Sequence, residues 1–177
     1  YEIDPERIGI IGRSAGGHLS ALAAMNSDEF ESDEWCEFSS KVQACCDMFG
    51  PVDFVKLIED DEQEMRTNPD FRWKTLEETH AGAVMGGDMA TIKERCKQFC
   101  PPYILTTDMS PMMILHGDCD KLVSCSISED FYDKIVERGM DDRTEFYILN
   151  GAGHGTKEFF QPETKKLIEK FFDKYLK

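Results

Sequence analysis

The sequence predicts an α/β fold in which helices flank a mostly parallel β-sheet. Its short apolar runs are continuous rather than alternating, as expected for strands that are covered on both faces. Segments with helical periodicity separate these runs, and an alternation of strand and helix favours parallel β-α-β units. A length of 177 residues favours a single domain.

Four apolar runs are the strand candidates: 8–11, 41–49, 112–116 and 144–149. The first run predicts a buried strand. The small residues of 15–25 that follow it predict a buried helix.

Two further helices are predicted towards the end of the chain. Ser126 and Glu129 have the spacing of a capping box, and Gly139 is placed to end that helix. Pro162 lies near the start of the last helix, whose apolar residues repeat at helical spacing.

The segment 51–110 is longer than a crossover between two strands requires. We interpret it as a partly helical cap insertion over the strand ends. Its acidic run at 59–64 is typical of a solvated helix face. Phe71 and Trp73 fit a substrate pocket, the core or a surface patch.

The composition argues against some classes of partner. The net charge of −15 disfavours nucleic acid and anionic membrane surfaces. No stretch approaches the roughly 20 apolar residues of a membrane span. The seven cysteines form no C-x-x-C pair, and Cys45 and Cys46 lie in an apolar run. These patterns predict free thiols in the cytoplasm and no metal site.

Ser14 is the candidate nucleophile. It lies between the first strand and the first helix in Gly12-Arg13-Ser14-Ala15-Gly16, which matches the G-x-S-x-G pattern of a nucleophile elbow. This strained turn favours glycine because a Cβ on either side would collide with the neighbouring strand or helix. The turn would expose the serine hydroxyl beside the positive end of a helix.

Two further motifs follow the third and fourth strands. One is His116-Gly117-Asp118-Cys119-Asp120, and the other places His154 among glycines. Parallel strands would bring both motifs and Ser14 to the carboxyl edge of the sheet, in the order Ser, Asp, His. A serine hydroxyl is a weak nucleophile, so His154 would accept its proton and an aspartate would orient and stabilise the imidazole.

The chain resembles the serine esterases of the α/β-hydrolase fold, above all the acetyl- and feruloyl-esterase-like subgroup called BD-FAE. The motifs that carry the resemblance lie in the family's order over nearly the whole chain: Ile3-Asp4-Pro5-Glu6-Arg7-Ile8, Gly12-Arg13-Ser14-Ala15-Gly16-Gly17-His18-Leu19, Phe49-Gly50-Pro51-Val52-Asp53-Phe54, His116-Gly117-Asp118-x-Asp120 and Gly151-Ala152-Gly153-His154-Gly155.

The resemblance implies a catalytic triad of Ser14, His154 and Asp120. Asp118 competes for the role of the acid, although we expect it to shape the loop instead. The resemblance also implies that the N–H of Ala15 is an oxyanion-hole donor. Short acyl or aryl esters, including acylated plant polysaccharides, are the implied substrates, with no metal or organic cofactor.

Four residues beside these motifs have weaker indications. We expect His116 to hydrogen-bond the acid loop. His18 has the position of a structural residue or of a residue at the rim of the site. Arg13 is a candidate to contact an acyl or carboxylate group, and nothing in its context assigns a role to His80.

The family usually has further strands and an H-G-G loop before the elbow, and this sequence contains neither. We therefore expect a truncated or minimal hydrolase whose first strand is an exposed edge and which forms a homodimer through it. Two alternatives remain. One is a prolyl-oligopeptidase-like peptidase, whose elbow typically has an aromatic residue at the position of Ala15. The other is an inactive hydrolase-fold module.

Overall fold

A four-stranded parallel sheet forms the centre of the part of the chain that the structure describes. The structure is a computed structural model, and it describes residues 3–26, 34–35 and 37–177. The strands lie in the order β1 (Gly9–Arg13), β2 (Ala44–Met48), β3 (Met112–Gly117) and β4 (Thr144–Leu149), each parallel to the next. The parallel α/β architecture that the sequence predicts is confirmed.

Helices follow every strand. They are α1 (Ala15–Ala23), α2 (Phe54–Thr67), α3 (His80–Met85), α4 (Ile92–Cys96), α5 (Pro101–Ile104), α6 (Cys125–Glu137) and α7 (Pro162–Leu176). Short 3₁₀ turns lie at Leu76–Glu78, Met89–Thr91, Lys97–Phe99, Asp141–Arg143 and Lys157–Phe160. Among the described residues, none of the helices has the length and apolar character that crossing a membrane requires.

Two cores cover the two faces of the sheet. Alternate residues of a strand point to opposite faces. Cys45 and Ile114 therefore pack with α1, α2 and α6, whereas Cys46 and Leu115 pack with α7. Every residue of β2 and β3 is buried, so the prediction of strands covered on both faces is confirmed for these two. Their rigid packing fixes the loops at their carboxyl ends.

The first strand is an exposed edge, as the absence of the family's earlier strands predicts, whereas the burial predicted from its apolar run is wrong. Among the described strands β1 pairs only with β2, so its other edge is open, and the side chains of Ile8 and Ile11 are 41% and 48% exposed. The adjoining helix α1 is also less buried than predicted, since Leu19 is 62% exposed. The homodimer expected through this edge stays a prediction.

The start of α6 differs from the predicted capping box. Ser124 is the N-cap, and its side chain accepts a hydrogen bond from the N–H of Ser126. The end of the helix agrees with the prediction. Gly139 has a φ of 71° and donates to the carbonyl of Val136, while Met140 donates to Ile135, which is the pattern of a Schellman cap.

The segment between β2 and β3 contains α2 to α5. Its description as a cap insertion within a single domain stays a prediction. The predicted solvated face holds for Glu59 and Glu64, which are exposed, but not for Asp61, which is buried on α2. Of the cysteines, Cys45 and Cys46 are buried as expected, and Cys36 lies outside the described residues.

Candidate active site

Ser14 occupies a strained turn between β1 and α1. Its φ of 54° and ψ of −125° lie in a region that residues other than glycine rarely adopt. The N–H of Ser14 donates to the carbonyl of Met48, at 2.9 Å, which ties the turn to the end of β2. Although Ser14 is the N-cap of α1, its hydroxyl makes no capping hydrogen bond. The hydroxyl therefore stays available for chemistry at the positive end of the helix.

The glycines around the elbow differ in the space that would be available to a Cβ atom. A Cβ on Gly12 would lie 2.0 Å from the carbonyl oxygen of Gly16, and a Cβ on Gly17 would lie 2.2 Å from Oδ1 of Asp47. A Cβ on Gly16 would meet nothing within 4 Å. The steric reason predicted from the sequence is confirmed for Gly12 and wrong for Gly16, because the described structure leaves open space beside Gly16.

We predict that Gly12→Ala destabilises the protein by about 1–3 kcal/mol or more, the usual cost of forcing extra atoms into a packed site. The clash is with backbone, which no side-chain rotation relieves. The matched control is Gly16→Ala, one turn away, which we expect to be neutral or stabilising because alanine favours helix over glycine by about 1 kcal/mol. Urea unfolding measures both variants. Equal stabilities of the two would contradict the steric account of the elbow.

Three side chains from three loops form one hydrogen-bonded chain at the carboxyl edge of the sheet. Oγ of Ser14 lies 2.8 Å from Nε2 of His154, and Nδ1 of His154 lies 2.7 Å from Oδ2 of Asp120. An ionised carboxylate can only accept, so Nδ1 carries the proton and Nε2 is free to accept from the serine hydroxyl. The structure thus brings together the three residues predicted as a triad, in the geometry that a serine nucleophile and its base require.

Asp120 is held as an anion. It follows β3, and its Oδ1 accepts hydrogen bonds from the backbone N–H groups of Leu122 and Val123, at 2.9 and 3.0 Å. Burial disfavours the charged form, but hydrogen bonds from these amides and from two histidines outweigh burial and lower the pKa of Asp120 to about 2. The carboxylate is therefore ionised throughout the neutral range.

His116 supports this acid loop, as predicted. It is fully buried, and its Nε2 lies 3.0 Å from the carbonyl of Val123 and 3.4 Å from Oδ2 of Asp120. Both neighbours are acceptors, so Nε2 carries the proton, and Nδ1 accepts from the hydroxyl of Ser128 at 2.7 Å. Asp118 has the loop-shaping role expected of it, because its Oδ1 accepts from the N–H of Gly151 at 2.7 Å.

Comparison with known families identifies the chain. A family model described as BD-FAE matches residues 1–135. The chain belongs to the BD-FAE family. The matched residues include Ser14 and Asp120 and end before His154.

Two curated relatives of this BD-FAE chain are described as ester hydrolases. The probable carboxylic ester hydrolase LipM of Mycobacterium tuberculosis is 29% identical over 137 residues, which cover 76% of this chain and 29% of LipM. The isoprenylcysteine alpha-carbonyl methylesterase ICME of Arabidopsis thaliana is 23% identical over 180 residues, which cover 96% of this chain and 38% of ICME. The chain thus spans less than half the length of these relatives.

Solved structures share the fold of this BD-FAE chain. A truncated form of a carbohydrate esterase from gut microbiota has a TM-score of 0.69 at 24% identity, covering 98% of this chain and 61% of the other. The bifunctional GH43-CE protein of Bacteroides eggerthii has a TM-score of 0.77 at 24% identity, covering 98% of this chain and 22% of the other. The predicted α/β-hydrolase fold is confirmed.

Two openings of the BD-FAE chain adjoin Ser14, His154 and Asp120. An apolar cavity of about 600 Å³ includes Ser14 and Ala15 in its wall, with residues of α1, α2 and α3. A more polar groove of about 910 Å³ includes His154 and Asp120 in its wall. Leu57 and Leu122 line both, so the two openings adjoin.

The residues that the sequence indicated only weakly differ in whether they line the apolar cavity. His18 is buried, its Nε2 lies 2.7 Å from the carbonyl of Phe99, and it lines the apolar cavity, so it is both structural and part of the wall. Burial lowers the pKa of His18, which favours its neutral form. His80, which had no predicted role, also lines this cavity. Arg13 is exposed and faces the ring of Phe160, and its suggested contact with substrate stays a prediction.

Sequence reasoning missed two supporting residues. Phe49 has a φ of 47°, and its ring packs edge-on against His154 with centroids 4.8 Å apart, which restrains the imidazole. Its place directly after β2, at the same edge as the triad, is a signal that could have indicated this contact. Asp47 is buried beside α1, where its Oδ1 accepts from the N–H of Gly50, and burial raises its pKa to about 7.

Proposed function

We propose that this chain carries the catalytic residues of a serine ester hydrolase. The observation that supports it is the chain of hydrogen bonds from Ser14 through His154 to Asp120, at 2.8 and 2.7 Å, placed between an apolar cavity and a polar groove. The names of the relatives LipM and ICME describe ester hydrolysis and support the same reaction class.

The reaction begins with Ser14. Its hydroxyl gives a proton to Nε2 of His154 while Oγ bonds to the carbonyl carbon of the ester. Asp120 stabilises the imidazolium that results. His154 then gives the proton to the alcohol oxygen as the C–O bond breaks, which releases the alcohol and leaves an ester on Ser14. Water, activated by the same imidazole, hydrolyses that ester and releases the acid.

The N–H of Ala15 is the proposed oxyanion donor. It belongs to the first turn of α1, whose N–H groups have no partner within the helix. The positive end of the helix adds to the stabilisation of the developing negative charge. Ala15 also lines the apolar cavity, beside Ser14.

The two openings define the orientation of the ester. The acyl carbon bonds to Ser14, which lines the apolar cavity, whereas the leaving oxygen takes its proton from His154, which lines the groove. We therefore place the acyl group in the cavity and the alcohol in the groove. The cavity wall is mostly apolar, including Leu22, Phe54 and Met85, so its preferred occupant is a hydrocarbon acyl group.

We predict that kcat/KM for p-nitrophenyl esters rises from acetate through butyrate to hexanoate. Each buried methylene contributes up to about 0.8 kcal/mol, or about fourfold. Val84→Asp puts a charge in the cavity wall and should flatten this rise, because Val84 lines the cavity and is 70% exposed. Val136→Asp, on an exposed position of α6, is the matched control and should keep the rise.

A comparison of an ester with an amide of the same acyl group distinguishes an esterase from the alternative, a prolyl-oligopeptidase-like peptidase. A p-nitroanilide with the butyryl group presents the same acyl contacts but an amide bond. Faster cleavage of this anilide than of the butyrate ester would overturn the esterase proposal. Equal rates for all three acyl lengths would contradict the assignment of the cavity to the acyl group.

A further inference from the structure

The groove beside His154 is strongly acidic. It lies on the side where the proposed function places the leaving alcohol, so the inference below rests on that function. The groove has a volume of about 910 Å³. Besides Asp120, whose carboxylate is engaged by His154, its wall carries four carboxylates and two cationic groups: Asp60, Asp61, Glu64 and Asp70, against Arg72 and Lys121.

One oxygen of the Asp61 carboxylate lacks a hydrogen-bond partner among the described residues. Asp61 lines the groove, yet it is only 7% exposed, and the unpaired oxygen is Oδ2. Burial raises the pKa of Asp61 to about 6, so the group is still mostly ionised at neutral pH. A buried anion with an unpaired oxygen is costly. The nearby charge of Arg72 compensates it in part, and a further positive group in the groove would add to this compensation.

Two aromatic rings stand beside these carboxylates. Phe71 and Trp73 both line the groove and pack edge to face, with centroids 5.5 Å apart. The guanidinium of Arg72 lies 3.7 Å from the centroid of the Trp73 ring. Arg72 itself occupies this ring face, and its position shows that the surroundings of the groove stabilise a positive charge, since aromatic faces and carboxylates both attract cations.

We propose that the groove binds an ester whose alcohol part carries a positively charged ammonium group. Carboxylates around an aromatic face suit a cation, which both kinds of group attract. A neutral sugar alcohol would also find acceptors here, but it would add no positive charge beside the four carboxylates. The net charge of −15 draws a cationic ester towards the protein as well.

The test compares butyrylcholine with 3,3-dimethylbutyl butyrate, which has the same shape without the charge. Acid release in a pH-stat gives kcat/KM for both esters at low salt. The expected preference for the choline ester is about tenfold, as one contact worth about 1.4 kcal/mol would give. Asp61→Asn should reduce this ratio to about twofold. Glu169→Gln, on α7 at the opposite face of the sheet, is the matched control and should leave both constants unchanged.

Three results would overturn the proposal: equal kcat/KM for the two esters, a choline preference that survives Asp61→Asn, or faster hydrolysis of a butyrylated neutral sugar. A binding measurement separates this proposal from the proposed function. Choline should change the fluorescence of Trp73, and the change should be absent in Trp73→Phe and weaker in Asp61→Asn. If p-nitrophenyl butyrate is not hydrolysed, the esterase proposal fails. If choline gives no fluorescence change in the wild-type protein, the cation site fails.

Discussion

Replacing Ser14 with alanine is expected to lower kcat for p-nitrophenyl butyrate by about 10⁴- to 10⁶-fold, the loss usually seen when a catalytic serine is removed. Alanine keeps the backbone of the elbow but removes the Oγ that lies 2.8 Å from Nε2 of His154. No acyl-enzyme can then form. Far-UV circular dichroism and the urea midpoint should stay the same, because the hydroxyl caps no helix N–H.

Ser39→Ala is the matched control for this substitution. Ser39 is exposed in the loop before β2, and its hydroxyl accepts a local hydrogen bond from the N–H of Lys41. Its activity should equal that of the wild-type protein. Retention of more than about a tenth of the wild-type rate in Ser14→Ala would rule out Ser14 as the nucleophile, since a true triad loses far more.

Asp120→Asn is expected to lower kcat by about 10²- to 10⁴-fold, in line with substitutions of a triad acid that keep its shape. The asparagine amide is neutral and can present an N–H to Nδ1 of His154, which would favour the wrong tautomer. The imidazolium would also lose the carboxylate that stabilises it. A low-pH loss of activity in the wild-type protein should not come from Asp120, because its pKa is held at about 2.

Asp118→Asn is the matched control, two residues away in the same loop. Its Oδ1 accepts a hydrogen bond from the N–H of Gly151, and an amide oxygen can accept the same bond. We expect its kcat to stay within about tenfold of the wild-type value, as for a loop residue outside the reacting atoms. A larger loss in Asp118→Asn than in Asp120→Asn would reassign the acid.

The candidate site could be predicted from the sequence because each of its residues lies in the loop or turn at the end of a short apolar strand. Ser14 follows β1, Asp120 follows β3 and His154 follows β4. In a parallel sheet the ends of these strands meet at one edge, so strand identity alone places distant residues together. The local G-x-S-x-G pattern then predicts the elbow, and Ser14 adopts the strained conformation that such a turn requires.

What the sequence did not indicate depends on contacts between distant segments. The local apolar pattern of residues 8–11 predicts burial, because the exposure of Ile11 depends on which strands pair with β1; only the comparison with the family's usual strands predicted the open edge. The capping site of α6 was ambiguous because Ser124 and Ser126 are both good N-caps. Asp61 is different. It lies three and four residues after Ile58 and Leu57, on the buried face of α2, so helical periodicity could have separated it from its exposed acidic neighbours.

The central claim is that His154 activates Ser14 as a nucleophile. A fluorophosphonate probe tests it directly, because the probe bonds to an activated serine, and intact mass with peptide mapping locates the adduct. We predict one probe per chain, attached to Ser14, with a labelling rate that falls at least about 100-fold in His154→Ala, as expected when a nucleophile loses its general base. No adduct, an adduct on another residue, or equal labelling in His154→Ala would contradict the account.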